Sequence, residues 1–174
     1  MTFAKAKPGV VGARDYLGNS DGPAKGPRPG TDEFIRQMVK VSVGALTNLG
    51  SYGQRDMKGK PGTLSVHATG RAVDLGFAKT DKNPNGNRAR AMAAVKLVLE
   101  HANEFGIQAC YDYWPLPWGR GWRCDRQTWE NYTTKTITGA PRGQWFHFEL
   151  DPAMADNPAA VKAVFTKVFY QSTT

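Results

Sequence analysis

Long apolar runs are missing from this chain. None approaches the roughly 18 residues that a bilayer-crossing helix requires, so no transmembrane segment is expected. The opening residues, Met1-Thr2-Phe3-Ala4-Lys5-Ala6-Lys7-Pro8, also lack the apolar stretch of a secretory signal, so synthesis in the cytoplasm without an export label is expected. Cysteine is scarce: Cys110 and Cys124 are too few for a disulfide-built scaffold and too far apart for a close-spaced zinc pair. One bridge closing the Trp-rich region and two reduced, half-buried thiols both fit. Acidic residues are outnumbered, 15 against 23 basic ones, and the net charge of +8 draws polyanions such as nucleic acid, anionic membrane or acidic cell wall. A nucleic-acid-binding motif and a dense basic helix are both lacking, so no specific nucleic-acid partner is expected. There is no internal repeat.

What is present fits one compact domain, expected to work as a monomer: 174 residues, 40% hydrophobic and 22% charged. Residues 1–30 hold six Gly and four Pro, which predicts an extended arm or surface wrap ahead of a domain spanning 31–174. A helix is predicted from a cap at Thr31 or Asp32 through Phe34, Ile35, Met38 and on to Leu46, stopped by Gly50. Val73, Leu75 and Phe77 alternate as a half-buried strand does. Residues 87–104 read as a helix built on Ala91, Ala94, Val95, Val98 and Leu99, preceded by a turn at Asp81–Gly86. Ile107–Tyr113 reads as a strand and Trp114–Arg142 as a long aromatic loop region. Gln144–Leu150 reads as a last strand with Trp145 and His147 on one face, and Asn157-Pro158 opens a closing helix. Strands interleaved with helices at irregular spacing predict an α+β fold, a small antiparallel sheet carrying the site and packed against helices.

Histidine is also rare, with three in the chain, and His67 and His147 lie in polar contexts within strand-like segments. A catalytic zinc needs about three protein ligands and one open position. Asp74, seven residues beyond His67 and flanked by Val73 and Leu75, is the natural third, since a carboxylate in an apolar strand is costly to bury without a cation or hydrogen bonds. On spacing alone a second reading stands beside it, with His67 capping a turn, Asp74 paired with an Arg and His147 a satisfied core imidazole. His101, late in a helix where a cation suits the dipole, is not a ligand candidate.

The run Ser65-Val66-His67-Ala68-Thr69-Gly70-Arg71-Ala72-Val73-Asp74 resembles the S-x-H-x-x-G-x-A-x-D motif of a zinc peptidase family. That family includes D-Ala-D-Ala carboxypeptidases, vancomycin-resistance dipeptidases and phage L-Ala-D-Glu endolysins, with the hedgehog zinc domain as a distant relative. Trp145-Phe146-His147-Phe148-Glu149 resembles the second motif of the family, around its last metal histidine, and the resemblance spans roughly residues 31–150. It implies Zn2+ held by His67, Asp74 and His147, and hydrolysis of peptide bonds in the stem or crosslink peptides of bacterial peptidoglycan. It further implies a phage lysin that reaches the wall after release or on a virion. Arg55 stands about where the family carries an Arg for the substrate carbonyl or carboxylate, a task suited to paired guanidinium donors.

One departure bears on mechanism. The family places a Glu three residues before the last metal histidine, and here that position is Gln144, whose amide cannot relay a proton. Another acid could serve, the enzyme could be slow, or the domain could be a catalytically inactive, zinc-containing cell-wall binding module. Glu149 shares a strand face with His147 and is the nearest substitute, although the resemblance implies an orienting role for it; Asp112, Asp125 and Glu130 are further candidates.

Overall fold

The computed structural model describes residues 3–171; residues 1–2 and 172–174, the outer ends of the arm and of the domain, lie outside the described residues. The chain is an α+β fold with a six-stranded, wholly antiparallel sheet. In chain order the elements are α1 (Pro29–Val41), β1 (Thr47–Gly50), β2 (Asp56–Met57), β3 (Lys60–Leu64), β4 (Ala72–Gly76), α2 (Arg88–Glu100), β5 (Ile107–Asp112), β6 (Arg120–Arg123), β7 (Thr128–Asn131), β8 (Trp145–Leu150), α3 (Pro152–Asp156) and α4 (Pro158–Phe165). The sheet order is β1-β4-β8-β5-β6-β7, and β2 and β3 form a separate hairpin.

Period-two alternation in β8 assigns the two faces of the sheet. Phe146, Phe148 and Leu150 point to the helices, where Phe148 meets Phe34 of α1 at 5.4 Å between ring centroids and Phe146 meets Phe77 at 5.0 Å. Trp145, His147 and Glu149 occupy the other face. β4 is central, between β1 and β8, so it is buried on both faces except at Asp74, rather than half-buried as its alternation suggested.

Two helices follow their sequence signals closely. In α2 the Asn87 side chain caps Arg90 N–H at 2.9 Å and Ala91, Ala94, Val95, Val98 and Leu99 are buried. Asn157 caps α4 at Ala160 N–H, with Pro158 in the first turn, and Asp151 does the same for the unforeseen α3 at Met154 N–H. The first helix differs from expectation. It starts at Pro29, and the Thr31 hydroxyl donates to the Gly70 carbonyl instead of capping. It ends at Val41 because Val43 and Gly44 take left-handed φ of 54° and 71°, turning Ala45 and Leu46 inward toward β1.

The aromatic region also contains regular structure that was read as loop. β6 and β7 form a hairpin whose register sets Trp122 opposite Trp129 on the helix face. Cross-strand aromatic pairs stabilise such ribbons, and Gly121 and the Arg residues at both ends of β6 hide the alternation. Cys110 and Cys124 are both free and buried. Residues 3–28 form no helix or strand but are pinned along the sheet by backbone bonds, Lys7 N–H to Asp125 O, Arg14 N–H to Cys124 O and Ala24 N–H to Ala68 O.

Candidate metal centre

Each part of the first motif has a local structural reason. The Ser65 hydroxyl accepts from His67 N–H at 3.3 Å, which starts a short 3-10 turn over Val66–Thr69. Gly70, at φ 73°, reverses the chain out of that turn; a Cβ there would lie 2.9 Å from the Arg28 side chain and 3.1 Å from the Gly26 carbonyl. Arg71, fully buried, donates to the Leu150 carbonyl, the Gly18 carbonyl and both Asp21 oxygens, fastening the entrance of β4 to β8 and to the arm. β4 then carries Asp74 directly opposite His147 of β8 in antiparallel register, so both side chains rise from the same face.

His67, Asp74 and His147 meet there, with one potential ligand atom from each lying within 4.8 Å of the others. Asp74 Oδ1 is 2.9 Å from His147 Nδ1 and Asp74 Oδ2 is 3.4 Å from His67 Nε2. Each imidazole is also held from behind. His67 Nδ1 is 2.6 Å from the Ser51 carbonyl, and His147 Nε2 is 3.2 Å from Glu149 Oε1. The Ser51 carbonyl is a pure acceptor and takes the His67 Nδ1–H, whereas His147 faces a carboxylate on each of its two nitrogens. Neutral His67 therefore aims its Nε2 lone pair at the Asp74 carboxylate, and His147 sits between two carboxylates, an arrangement that favours positive charge at this point.

Protons can supply that charge. Burial alone would lower His147, but Asp74 and Glu149 outweigh it and push it up to about 9. Burial would raise the two carboxyls, and hydrogen bonds from the histidines outweigh it for Asp74, as those from His147 and Tyr16 do for Glu149, so both stay below their usual range. A metal cation meets the same demand with the donor set on hand, two imidazoles and one carboxylate. A cleft of about 90 Å³, lined by Leu49, Gly50, Ser51, Tyr52, Gly53, Arg55, His67 and Asp74, opens on two of the three and leaves room for an outside ligand. The group fits a metal ion.

Compared with models of protein families, curated proteins and solved structures, the chain matches none.

The other residues singled out from sequence fall at different distances from this centre. Arg55 is exposed, lines the cleft and has no ion-pair partner among the described residues. Gln144 is exposed just ahead of β8, where its carbonyl accepts from Phe77 N–H at 3.0 Å, and it is not among the cleft-lining residues. Glu149 touches the centre only through the far nitrogen of His147. Asp112 is on the helix face, paired with Arg88 and Arg120; Asp125 pairs with Arg123 and Glu130 with Arg126. Among the described residues Asp74 pairs with no Arg: the nearby Arg71 takes Asp21 instead. His101 pairs with Glu104 at the end of α2.

Sequence reasoning missed Ser51 and Tyr16. The former acts through its backbone carbonyl, which residue type does not reveal. Tyr16 is 4% exposed and donates to Glu149 Oε2 at 2.7 Å, but it sits in a Gly/Pro-rich stretch without periodicity to mark it as buried.

Proposed function

We propose that this chain is a zinc metallopeptidase that hydrolyses peptide bonds in the stem or crosslink peptides of bacterial peptidoglycan. The observation that carries the reading is the convergence of two imidazoles, each hydrogen-bonded from behind, on Asp74 at the end of a cleft. The two motif resemblances supply the substrate class. When bound by His67, Asp74 and His147, zinc supplies Lewis acidity toward a carbonyl and toward water.

The remaining functions fall to the chain. Ser51 and Glu149 orient the two rings, and Asp74 neutralises charge between them. Arg55, unpaired at the cleft wall, offers two parallel donors to a substrate carbonyl or carboxylate. The positive net charge draws an acidic wall polymer toward the protein.

Gln144 favours a second reading, a zinc-containing wall-binding module without turnover, because among the described residues Asp74 is the one carboxylate that lines the cleft and it is committed to the histidines. Digestion of purified peptidoglycan by the zinc-loaded protein, followed by mass spectrometry of the soluble fragments, separates the two. New peptide termini support the peptidase; wall binding without any cleaved bond supports the module.

A further inference from the structure

The arm that precedes α1 reaches the candidate centre. Tyr16 passes under the sheet face that carries His147, and its hydroxyl donates to Glu149 Oε2 at 2.7 Å while Glu149 Oε1 accepts from His147 Nε2 at 3.2 Å. Glu149 is 4% exposed, so these two donors are its main compensation for leaving water. Burial and the adjacent Glu149 charge push the Tyr16 phenol far up, so it remains a donor.

Both ends of this arm segment are fixed. Tyr16 N–H donates to the Ala4 carbonyl, Leu17 N–H to Gln108 Oε1 at 2.7 Å, and Gly18 and Asp21 are gripped by Arg71. The Tyr16 ring is covered by the Arg123 guanidinium at 4.8 Å. Its hydroxyl is thereby held against Glu149 Oε2, while the other oxygen of the same carboxylate faces His147 Nε2 and can hold a proton there, leaving Nδ1 free toward Asp74.

We infer that Tyr16 is a positioning residue for the metal centre, acting through Glu149 to hold His147 in its metal-binding tautomer, so that the arm is an integral part of the site. The inference rests on the metal reading above. Glu149, one hydrogen bond behind His147, is the kind of partner typically worth about 10- to 100-fold in metal affinity, and Tyr16, one bond further out, acts at the lower end of that range.

The test uses the full chain and zinc itself, with affinity measured by competition against a chromophoric chelator. Tyr16→Phe keeps the ring against Arg123 and removes only the hydroxyl; it should weaken zinc binding about 10-fold and shift the visible absorption of the cobalt-substituted protein. In a Glu149→Gln background, which by itself should weaken binding at least as much, the same change should cost less than about twofold, since its route to His147 is gone. A merely structural Tyr16 would lower the thermal midpoint of the metal-free protein and leave zinc affinity and the cobalt spectrum unchanged. Tyr16→Phe within twofold of wild type, or full additivity with Glu149→Gln, overturns the inference alone. A wild-type chain that binds no zinc overturns the metal reading as well.

Discussion

Arg55 at the cleft wall and Gln144, exposed just ahead of β8, test the substrate chemistry in different ways. Arg55 has no ion-pair partner among the described residues and is not one of the three candidate ligands, so Arg55→Ala should lower turnover of wall peptide by about 10-fold or more while leaving zinc stoichiometry intact, as expected for a group that stabilises developing charge. Steady-state kinetics alongside metal analysis checks this; loss of metal would place Arg55 in the scaffold, and unchanged kinetics on the open surface. Gln144 tests the missing base. With Asp74 and Glu149 both engaged by histidines, no free carboxylate lines the cleft among the described residues, so Gln144→Glu, which adds one just outside it, should raise peptide release by ~10²-fold or more at equal metal occupancy. Unchanged release would mean that a carboxylate at this position does not reach the reacting atoms. The three ligand candidates were legible through the two motifs, with Asp74 and His147 in apolar strands and His67 in a 3-10 turn, and one antiparallel register brings Asp74 and His147 together. Tyr16 and the Ser51 carbonyl were not, because a buried phenol in an irregular segment and a backbone oxygen leave no pattern.

Among the elements, those with both a cap and a clear period were readable. Asn87 and Asn157 mark the starts of α2 and α4, and the alternating Phe residues of β8 give its two faces. The β6–β7 hairpin was hidden because β6 has a Gly and two Arg residues and its stability comes from the Trp122–Trp129 pairing across strands. The end of α1 was hidden because Val43 and Gly44 continue an apolar pattern while their backbone reverses. The arm was read from composition, and what holds it is the ion pair between buried Arg71 and Asp21, with Arg28 adding a second bond to Asp21. Burial would raise the Asp21 carboxyl, but the hydrogen bonds from Arg71 and Arg28 outweigh it and keep it below its ordinary value. A carboxyl depressed in the folded state contributes stability that is present above its unfolded pKa of about 3.9 and is lost as pH falls through the folded value. Asp21→Asn should therefore destabilise the chain at neutral pH by about 3 kcal/mol, because it leaves Arg71 charged and buried without its counterion. The gap to wild type should close as pH is lowered below about 4. Denaturant melts of both proteins at pH 7 and in the acid range give the comparison, and a gap independent of pH would contradict it.

At the scale of the whole molecule the sheet divides labour. One face is packed by α1, α2 and α4 around Phe34, Phe148 and Phe165, and the other carries the histidines, the arm and the cleft. No described helix is long and apolar enough to cross a membrane. Rigid strands are a sound base for a metal site, since ligands on β4 and β8 are fixed by the ladder rather than by loop conformation. The central claim is that His67, Asp74 and His147 bind one zinc ion, and elemental analysis of the purified chain after equilibration with zinc tests it directly. About one zinc per wild-type chain is expected, with stoichiometric binding lost in His67→Ala and in His147→Ala, since removal of one of three protein ligands opens the site. A wild-type chain without zinc, or either variant with its full complement, would contradict the assignment.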